Sequence, residues 1–333
     1  MRFLKRLFAV LLVLVIVYLF GPHPATPIYD LSLPAVPSAA ASLETYISRQ
    51  ESQHKLKPGN EARIVWANDS TKQKTEYVIV YLHGFSASQE EGNPVHRNLA
   101  RQFGCNLYLA RLSQHGIDTT DALVNMTADN LWESAKEAYA IGKQLGNKVI
   151  LMGTSTGGTL AIQLAAAYPE VAGLVLLSPN IAINDPNAWL LNNPWGLQIA
   201  RLVKESKFNI IRNKPPEYNK YWNPQYRLEA TVQLEELLET AMTDANFAKI
   251  KQPTLVLYYY KDEQHQDPVV KVSAMKDMFT HLGTSEAQKK MVPIPEAGSH
   301  VLGSPIQSKD IVTVEKQAAA FLKETMHLPQ AHY

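Results

Sequence analysis

The chain is predicted to adopt an α/β fold, with a mostly parallel central sheet, helices on both faces of that sheet and an inserted cap. Three observations favour this fold. Short β-branched runs alternate with helical segments along most of the chain. The runs are apolar at nearly every position, as expected for strands that are buried on both faces. The alternation stops over residues 180–251, which is too long a stretch for a plain loop and therefore predicts the cap.

The composition suits one large domain, or one domain with an insertion. The chain has 333 residues, and 46% of them are hydrophobic, which is enough for a substantial core. Because 32 basic residues nearly balance 31 acidic ones, we expect no nucleic-acid partner. The single cysteine, Cys105, excludes an intramolecular disulfide. Nothing in the composition indicates the oligomeric state.

The N-terminus has the character of a membrane anchor or a signal. A basic head is followed by an apolar run from Leu7 to Phe20, and no small-residue cleavage site lies just beyond it. Residues 1–20 are therefore predicted to anchor the chain in a membrane, with a cleaved signal peptide as the alternative.

The positions of the basic residues predict the orientation of this anchor. Arg2, Lys5 and Arg6 would stay in the cytoplasm, which puts the catalytic domain outside it, in a periplasmic or extracellular location. Secretion after signal cleavage is the alternative. Residues 21–60 are predicted to be a linker rich in Pro and Ala, followed by a short helix.

The remaining elements follow from hydrophobic periodicity. In chain order, the predicted strands are residues 62–67, 76–82, 106–112, 149–152, 171–177, 253–260 and 289–295. The predicted helices are residues 42–53, 94–103, 131–145, 159–168, 228–242 and 311–324. The core is therefore assigned to residues 61–179 and 252–333, with the cap at 180–251 between the two parts.

A Gly-x-Ser-x-Gly pentapeptide, Gly153 to Gly157, lies between a buried strand and an Ala-rich helix. A sharp strand-to-helix turn would hold Ser155 at its tip, above the N-terminus of the helix. That helix end offers free N–H groups and a partial positive charge to a developing oxyanion. Ser155 is therefore the predicted nucleophile. The alternative is a Gly-rich turn with an incidental serine.

A second loop can supply the other half of an oxyanion hole. His83-Gly84-Phe85 directly follows an early buried strand. The backbone N–H groups of Phe85 and Thr156 are the predicted pair of donors. The alternative is an ordinary strand-to-helix turn. His83 is expected to orient this loop and is not predicted to be the catalytic base.

The partners of Ser155 follow in the order acid, then histidine. Serine alone is a poor nucleophile, so a histidine must take its proton, and a carboxylate must fix the tautomer of that histidine. His300, after the last predicted strand, is the predicted base. The acid follows the next-to-last strand and is Asp262 or Asp267. A metal site in that loop is conceivable, but a solvated polar loop is the preferred interpretation, so no metal and no cofactor are predicted.

From about Glu76 to Leu322, the sequence resembles the α/β-hydrolase superfamily, with most similarity to carboxylesterases and monoacylglycerol lipases. This resemblance implies the fold, a Ser-His-Asp triad and ester hydrolysis. It favours Asp267 as the acid, because an Asp-Pro-Val-Val continuation is typical of the family, although Asp262 lies at the usual distance after the strand. The matching motifs are His83-Gly84-Phe85, His115-Gly116, Gly153-Thr154-Ser155-Thr156-Gly157-Gly158 and Gly298-Ser299-His300.

The leading hypothesis is a serine hydrolase that cleaves carboxylic esters of lipid-like or small apolar type through an acyl-enzyme. The alternatives are an acyltransferase, a thioesterase or amidase with the same triad, and a non-catalytic binding protein on this scaffold. Trp195 and Trp222 in the cap are predicted to line the substrate pocket. The alternative is that these aromatic residues only pack the cap onto the core.

Overall fold

The fold was examined in a computed structural model that describes residues 2–331. Met1, His332 and Tyr333, which belong to the predicted ranges 1–20 and 252–333, lie outside the described residues. The strands are β1 Arg63–Val65, β2 Thr75–Leu82, β3 Asn106–Leu109, β4 Gly146–Thr154, β5 Gly173–Leu177, β6 Phe208–Ile210, β7 Gln225–Arg227, β8 Thr254–Tyr258 and β9 Lys289–Pro293. The helices are α1 Arg2–Leu19, α2 Ala40–Glu51, α3 Val95–Gln102, α4 Ala128–Leu145, α5 Thr156–Ala167, α6 Gly196–Lys204, α7 Tyr218–Tyr221, α8 Leu228–Ala241, α9 Asp244–Phe247, α10 Val272–His281 and α11 Ile311–Glu324.

Seven strands form the central sheet, in the order β1-β3-β2-β4-β5-β8-β9. Only β1 is antiparallel to its neighbour, and the other adjacent strands are parallel. This arrangement confirms the predicted fold class.

Apolar side chains cover both faces of the sheet, which explains the continuous hydrophobic runs in the sequence. Strand β2 shows this clearly, because Val78, Val80 and Leu82 belong to one buried cluster while Ile79 and Tyr81 belong to the other. Helices α4, α5, α8 and α10 contribute to the first cluster, and helices α3 and α11 to the second. Because successive side chains of a strand point to opposite faces of the sheet, one strand contributes to both hydrophobic cores.

The register of the parallel strands brings several loops to one edge of the sheet. Leu82 lies beside Gly153, Thr154 lies beside Leu177, and Leu177 in turn lies beside Leu257. Because these residues are at or next to the carboxyl ends of β2, β4, β5 and β8, the loops that follow all leave at the same edge. This is the edge at which open α/β sheets bind their ligands.

Residues 180–251, called the inserted segment below, contribute no strand to the central sheet. The segment contains helices α6 to α9 and a two-stranded antiparallel sheet in which Phe208 pairs with Arg227. Its longest helix is α8, which has 14 residues and lies within the predicted range 228–242. The short strands β6 and β7 were not predicted, because three-residue strands carry too little periodicity to be recognised.

The stretch from residue 22 to residue 39 has no helix or strand, but it is held against the rest of the fold. The Tyr29 hydroxyl is hydrogen bonded to the Thr240 hydroxyl at 2.7 Å. The Trp132 indole donates to the carbonyl of Asp30 at 2.7 Å, and the Tyr168 hydroxyl donates to the carbonyl of Leu31 at 2.8 Å. Residues 22–39, which were predicted as part of a linker, are therefore fixed against the protein surface by hydrogen bonds.

The predicted membrane anchor is wrong. Helix α1 has 18 residues and rises about 27 Å, whereas a bilayer core of about 30 Å needs about 20 consecutive apolar residues. Lys5 and Arg6 shorten its apolar part further. Across residues 2–331, no helix combines the length and apolarity that crossing a membrane requires. The predictions of a membrane partner and of an anchored location outside the cytoplasm depend on this anchor and are wrong as well.

Candidate active site

Ser155 stands at a sharp turn between β4 and α5, with an unusual backbone conformation of φ 52° and ψ −118°. The turn needs glycine at two neighbouring positions. A Cβ on Gly157 would lie 1.9 Å from the carbonyl oxygen of Leu82, and one on Gly153 would lie 2.4 Å from the carbonyl oxygen of Gly157. Strand and helix therefore approach each other closely, and Ser155 is held in a strained backbone conformation at the tip of the turn.

Two backbone N–H groups beside Ser155 are available to a ligand. The N–H of Thr156 is in the first turn of α5, where helix N–H groups have no intrahelical acceptor. The N–H of Phe85, in the loop after β2, has no hydrogen-bond partner within the part of the chain that the structure describes. The neighbouring N–H of Gly84 is occupied, because it donates to the Glu91 carboxylate. These positions are the two predicted for an oxyanion hole.

His83 holds the loop that carries Phe85. Its Nε2 accepts the N–H of Leu112 at 3.0 Å, so its proton is on Nδ1, which donates to the carbonyl of Gly84 at 2.9 Å. Burial is the first cause that lowers the pKa of His83, and the neighbouring His115 lowers it further. His83 is therefore neutral, and its contacts are those of a residue that orients a loop.

Asp267 and His300 are paired. Oδ2 of Asp267 is 2.6 Å from Nδ1 of His300, and its Oδ1 accepts the N–H groups of Val269 and Val270 at 2.9 and 3.1 Å. Asp267 is only 1% exposed. A buried carboxylate in this position fixes the imidazole with Nε2 free to face a substrate. Within the described residues, His300 and the Oγ of Ser155 are not hydrogen bonded to each other.

The charges of this pair support each other. Burial alone would raise the pKa of Asp267, but the charge and hydrogen bond of His300 and the two backbone N–H groups lower it below its ordinary value. Burial alone would lower the pKa of His300, but the charge and hydrogen bond of Asp267, with a smaller contribution from Glu91, raise it. The pair therefore favours the ionised carboxylate and the imidazolium.

Asp262, the alternative acid, lies elsewhere. Its carboxylate is hydrogen bonded to the His265 side chain at 2.8 Å, and it is more than half exposed in the turn after β8. In this loop, Asp262 and His265 contact each other, whereas Asp267 contacts His300. Within residues 2–331, no group of three or more His, Cys, Asp or Glu side chains is arranged to hold a metal.

The two tryptophans predicted as pocket walls occupy different places. Trp222 is buried, stacks on Tyr218 at 4.9 Å and packs against Val301, the residue after His300. Trp195 is more exposed and begins helix α6, where its indole donates to the carbonyl of Val17 at 3.0 Å. Trp222 therefore lies close to the paired histidine, whereas Trp195 contacts the N-terminal segment.

One buried charge beside Ser155 was not found from the sequence. Glu91 belongs to a short 3-10 helix of residues 89–92 and is 2% exposed. Gln89-Glu90-Glu91-Gly92 has the composition of an exposed turn, and no local pattern distinguishes Glu91 from Glu90. The sequence offers one signal for Glu91 as a residue of the site, namely its position shortly after the oxyanion loop.

Comparison with known proteins gives the family. A family model described as serine aminopeptidase, S33, matches residues 73–298. The chain belongs to this family. The match covers more than half of the chain and includes Ser155 and Asp267, while His300 lies two residues beyond its end. The resemblance to α/β-hydrolases of the carboxylesterase and monoacylglycerol lipase type is confirmed, and this S33-family chain is a hydrolytic enzyme of the lipase and esterase type.

Relatives are known by sequence and by structure. The chain is 27% identical over 191 residues to a thermostable monoacylglycerol lipase from Bacillus sp. strain H-257, a match that covers 57% of this chain and 71% of that lipase. Its fold is similar to a structure reported with LipS and LipT, two metagenome-derived lipolytic enzymes, at a TM-score of 0.64 and 18% identity, covering 81% of this chain and 99% of the other. A monoacylglycerol lipase of Paleococcus ferrophilus is similar at a TM-score of 0.57 and 16% identity, covering 79% and 98%. The two structural similarities show the shared fold.

Proposed function

We propose that Ser155, His300 and Asp267 form a catalytic triad that hydrolyses carboxylic esters through an acyl-enzyme. The observation that carries the proposal is the 2.6 Å pairing of the buried Asp267 with Nδ1 of His300. That pairing lies at the same edge of the sheet as the strained turn of Ser155. The chain order Ser, Asp, His is that of α/β-hydrolases, which supports the same assignment.

The reaction follows from these positions. Oγ of Ser155 bonds to the carbonyl carbon of the ester as its proton passes to Nε2 of His300. The tetrahedral intermediate then collapses, the bond to the leaving alcohol breaks, and the alcohol takes the proton from Nε2. A water molecule attacks the acyl-enzyme in the same way, giving its proton to Nε2, and release of the carboxylic acid returns the proton to Ser155.

Two further groups stabilise these steps. Asp267 holds the His300 imidazole in the tautomer with Nε2 free, and it stabilises the imidazolium that forms. The N–H groups of Phe85 and Thr156 donate to the oxyanion, a contribution of about 3 kcal/mol for each such donor in comparable sites. Within residues 2–331, neither N–H group has a hydrogen-bond acceptor, which supports this role.

We also propose that the inserted segment caps this site and admits apolar esters, while residues 61–179 and 252–333 form the core. Aromatic residues from both parts meet beside the oxyanion loop, since the rings of Phe85 and Tyr226 lie 4.9 Å apart, edge to face. The sequence relative that hydrolyses monoacylglycerols supports a single acyl chain as the recognised group. Of the two tryptophans, Trp222 is the better supported as a wall residue, because it packs beside His300.

The test is a set of p-nitrophenyl and monoacylglycerol esters of increasing acyl length, assayed with the wild type and with Ser155→Ala. We expect hydrolysis by the wild type that rises with acyl length over the first carbons, and none above background with the variant. Turnover by Ser155→Ala at the wild-type rate would overturn the triad. A wild type that is inactive on every ester but labelled by a fluorophosphonate would keep the nucleophile and overturn the ester class.

A further inference from the structure

The carboxylate of Glu91 joins the oxyanion loop to the inserted segment. On one side, its Oε2 accepts the N–H of Gly84 at 2.5 Å. On the other side, the Trp222 side chain interacts with it and helps to lower its pKa. The buried acid therefore lies between the core and the inserted segment.

Glu91 also lies beside the proposed nucleophile. A Cβ added to Gly84 would lie 2.9 Å from Oε2 of Glu91, 3.0 Å from its Oε1 and 3.1 Å from Cβ of Ser155. The carboxylate and the serine therefore meet at the α-carbon of Gly84, with no side chain between them. A larger residue at Gly84 would separate the two.

The loop and the inserted segment make further contacts around this carboxylate. The N–H of Asn223 donates to the carbonyl of Ser86 at 2.8 Å, and Lys57 donates to the carbonyl of Trp222 at 2.8 Å. Trp222 and Tyr218 share a small apolar cluster with Ala87 and Val301. Both neighbours of the site, the oxyanion loop and the loop of His300, are thus packed against the residues that hold Glu91.

The charge of Glu91 acts on His300. Burial raises the pKa of Glu91 to about 7, although the Gly84 N–H, the charge of His300 and the Trp222 indole lower it. In the other direction, the charge of Glu91 helps to raise the pKa of His300. The charge of each group therefore shifts the pKa of the other.

We propose that Glu91 is a positioning residue of this active site, which fixes the Phe85 N–H for the oxyanion and places a second negative charge where His300 becomes imidazolium. The inference rests on the proposed triad. Glu91 takes up the N–H of Gly84, whereas within the described residues the N–H of Phe85 has no acceptor and remains available to the oxyanion. Asp267 supports His300 from the Nδ1 side, and Glu91 adds its charge from the side of the oxyanion loop and the inserted segment.

Other charged or titratable groups face the same two residues. Asp267 and Glu91 raise the pKa of His300, whereas the charge of Lys214 in the inserted segment lowers it. Glu91 raises the pKa values of the Tyr81 and Tyr218 phenols, which remain neutral throughout the pH range of the assay. Asp267, Glu91 and Lys214 are therefore the charged groups of this set that act on His300.

The decisive variant is Glu91→Gln, assayed as kcat and kcat/KM against pH. The amide keeps an oxygen for the Gly84 N–H but removes the charge. We expect kcat to fall roughly tenfold to a hundredfold, as for the loss of a charged hydrogen bond. Without the charge the pKa of His300 falls, so the acidic limb of kcat/KM, which reports the free enzyme, should move to lower pH.

Glu90→Gln is the matched control. Glu90 is in the same short helix, but its carboxylate contacts Asn93, Gln89 and Arg97 on the outer side of the loop. This variant should keep the wild-type kcat and the wild-type acidic limb. A second variant, Trp222→Phe, keeps the ring but removes the indole donor, and its loss of kcat should not add to that of Glu91→Gln.

The outcomes separate the two proposals. Wild-type kcat and an unmoved acidic limb in Glu91→Gln, or a higher kcat, overturn the role of Glu91 and leave the triad untouched. Activity in Ser155→Ala overturns the triad instead. If Glu91→Gln does not fold, Glu91→Asp decides, because it keeps the charge but moves it away from His300. A reduced kcat with the acidic limb moved to lower pH supports the inference, and an unmoved limb overturns it.

Discussion

The sheet edge around Ser155 and the inserted segment differ in how tightly the backbone constrains them. At the edge, parallel strands end together and a single added carbon at Gly157 would overlap the backbone of Leu82. The inserted segment is built from short pieces, including a four-residue helix α7 and two three-residue strands. From this difference we infer that the rigid edge carries the reaction chemistry and that the inserted segment selects the substrate.

The largest expected effect is at the nucleophile. Ser155→Ala should reduce kcat by about 10⁶, because the acyl-enzyme cannot form and only binding and the oxyanion hole remain. The variant should fold normally, since a single hydroxyl is lost. Ester turnover and thermal unfolding measured on the same preparation check both parts. Retained turnover in a folded variant would contradict the assignment of chemistry to this edge.

The acid gives the next largest effect. Asp267→Asn should reduce kcat by about 10⁴, since an amide supports the wrong tautomer of His300. The matched control is Asp262→Asn, which alters an exposed carboxylate of the same loop and should stay within a few-fold of the wild type. Reversal of these two results in a kinetic assay would move the acid to Asp262.

The rigidity of the edge itself can be measured. Gly157→Ala should lower the free energy of unfolding by at least about 3 kcal/mol, because its methyl group meets the carbonyl of Leu82. Gly104→Ala is the control for a glycine without such a clash, since its φ of 61° is positive but its added Cβ would lie 3.4 Å from the nearest atom. That control should cost about 1 kcal/mol, from backbone strain alone. If denaturant unfolding shows equal losses of stability for the two variants, the turn accommodates the added methyl group at Gly157 and is not rigid.

The smallest effect concerns the inserted segment. Each methylene buried in an apolar pocket contributes about 0.8 kcal/mol, so kcat/KM should rise about fourfold for each carbon added to a short acyl chain and then level off. Trp222→Ala should flatten this rise, and because it also removes the indole beside Glu91, it should lower kcat for esters of every length. The comparison of chain-length profiles tests it, with Trp195→Ala as the control at the more exposed tryptophan. A profile that both variants leave unchanged would remove Trp222 from substrate selection.

The central strands and the order of the site residues could be predicted because their signals are local. Buried parallel strands are apolar at every position, and the Gly-x-Ser-x-Gly turn needs its glycines for steric reasons that hold in any context. The position of His300 could be predicted because it lies in the loop after the last strand of the sheet. Such features are encoded within a few residues of the site they build.

What the sequence did not reveal depends on contacts between distant residues. Glu91 lies buried where distant parts of the chain meet, since the N–H of Gly84 donates to its carboxylate and Trp222 interacts with it. Residues 22–39 have the composition of a linker, yet hydrogen bonds to distant side chains, such as that of Tyr29 to Thr240, hold them in place. The prediction of an N-terminal anchor is wrong for a different reason. The sequence shows an apolar run, but α1 is short and has Lys5 and Arg6 near its start.

The most direct test of the central claim is labelling with a fluorophosphonate, followed by mass spectrometry of the intact chain and of its peptides. We expect one adduct per chain, on Ser155, at a rate that rises as His300 loses its proton. Asp267→Asn should be labelled much more slowly than Asp262→Asn. An adduct on another residue, or an equal labelling rate in these two variants, would contradict the account of a Ser155, His300 and Asp267 triad at this sheet edge.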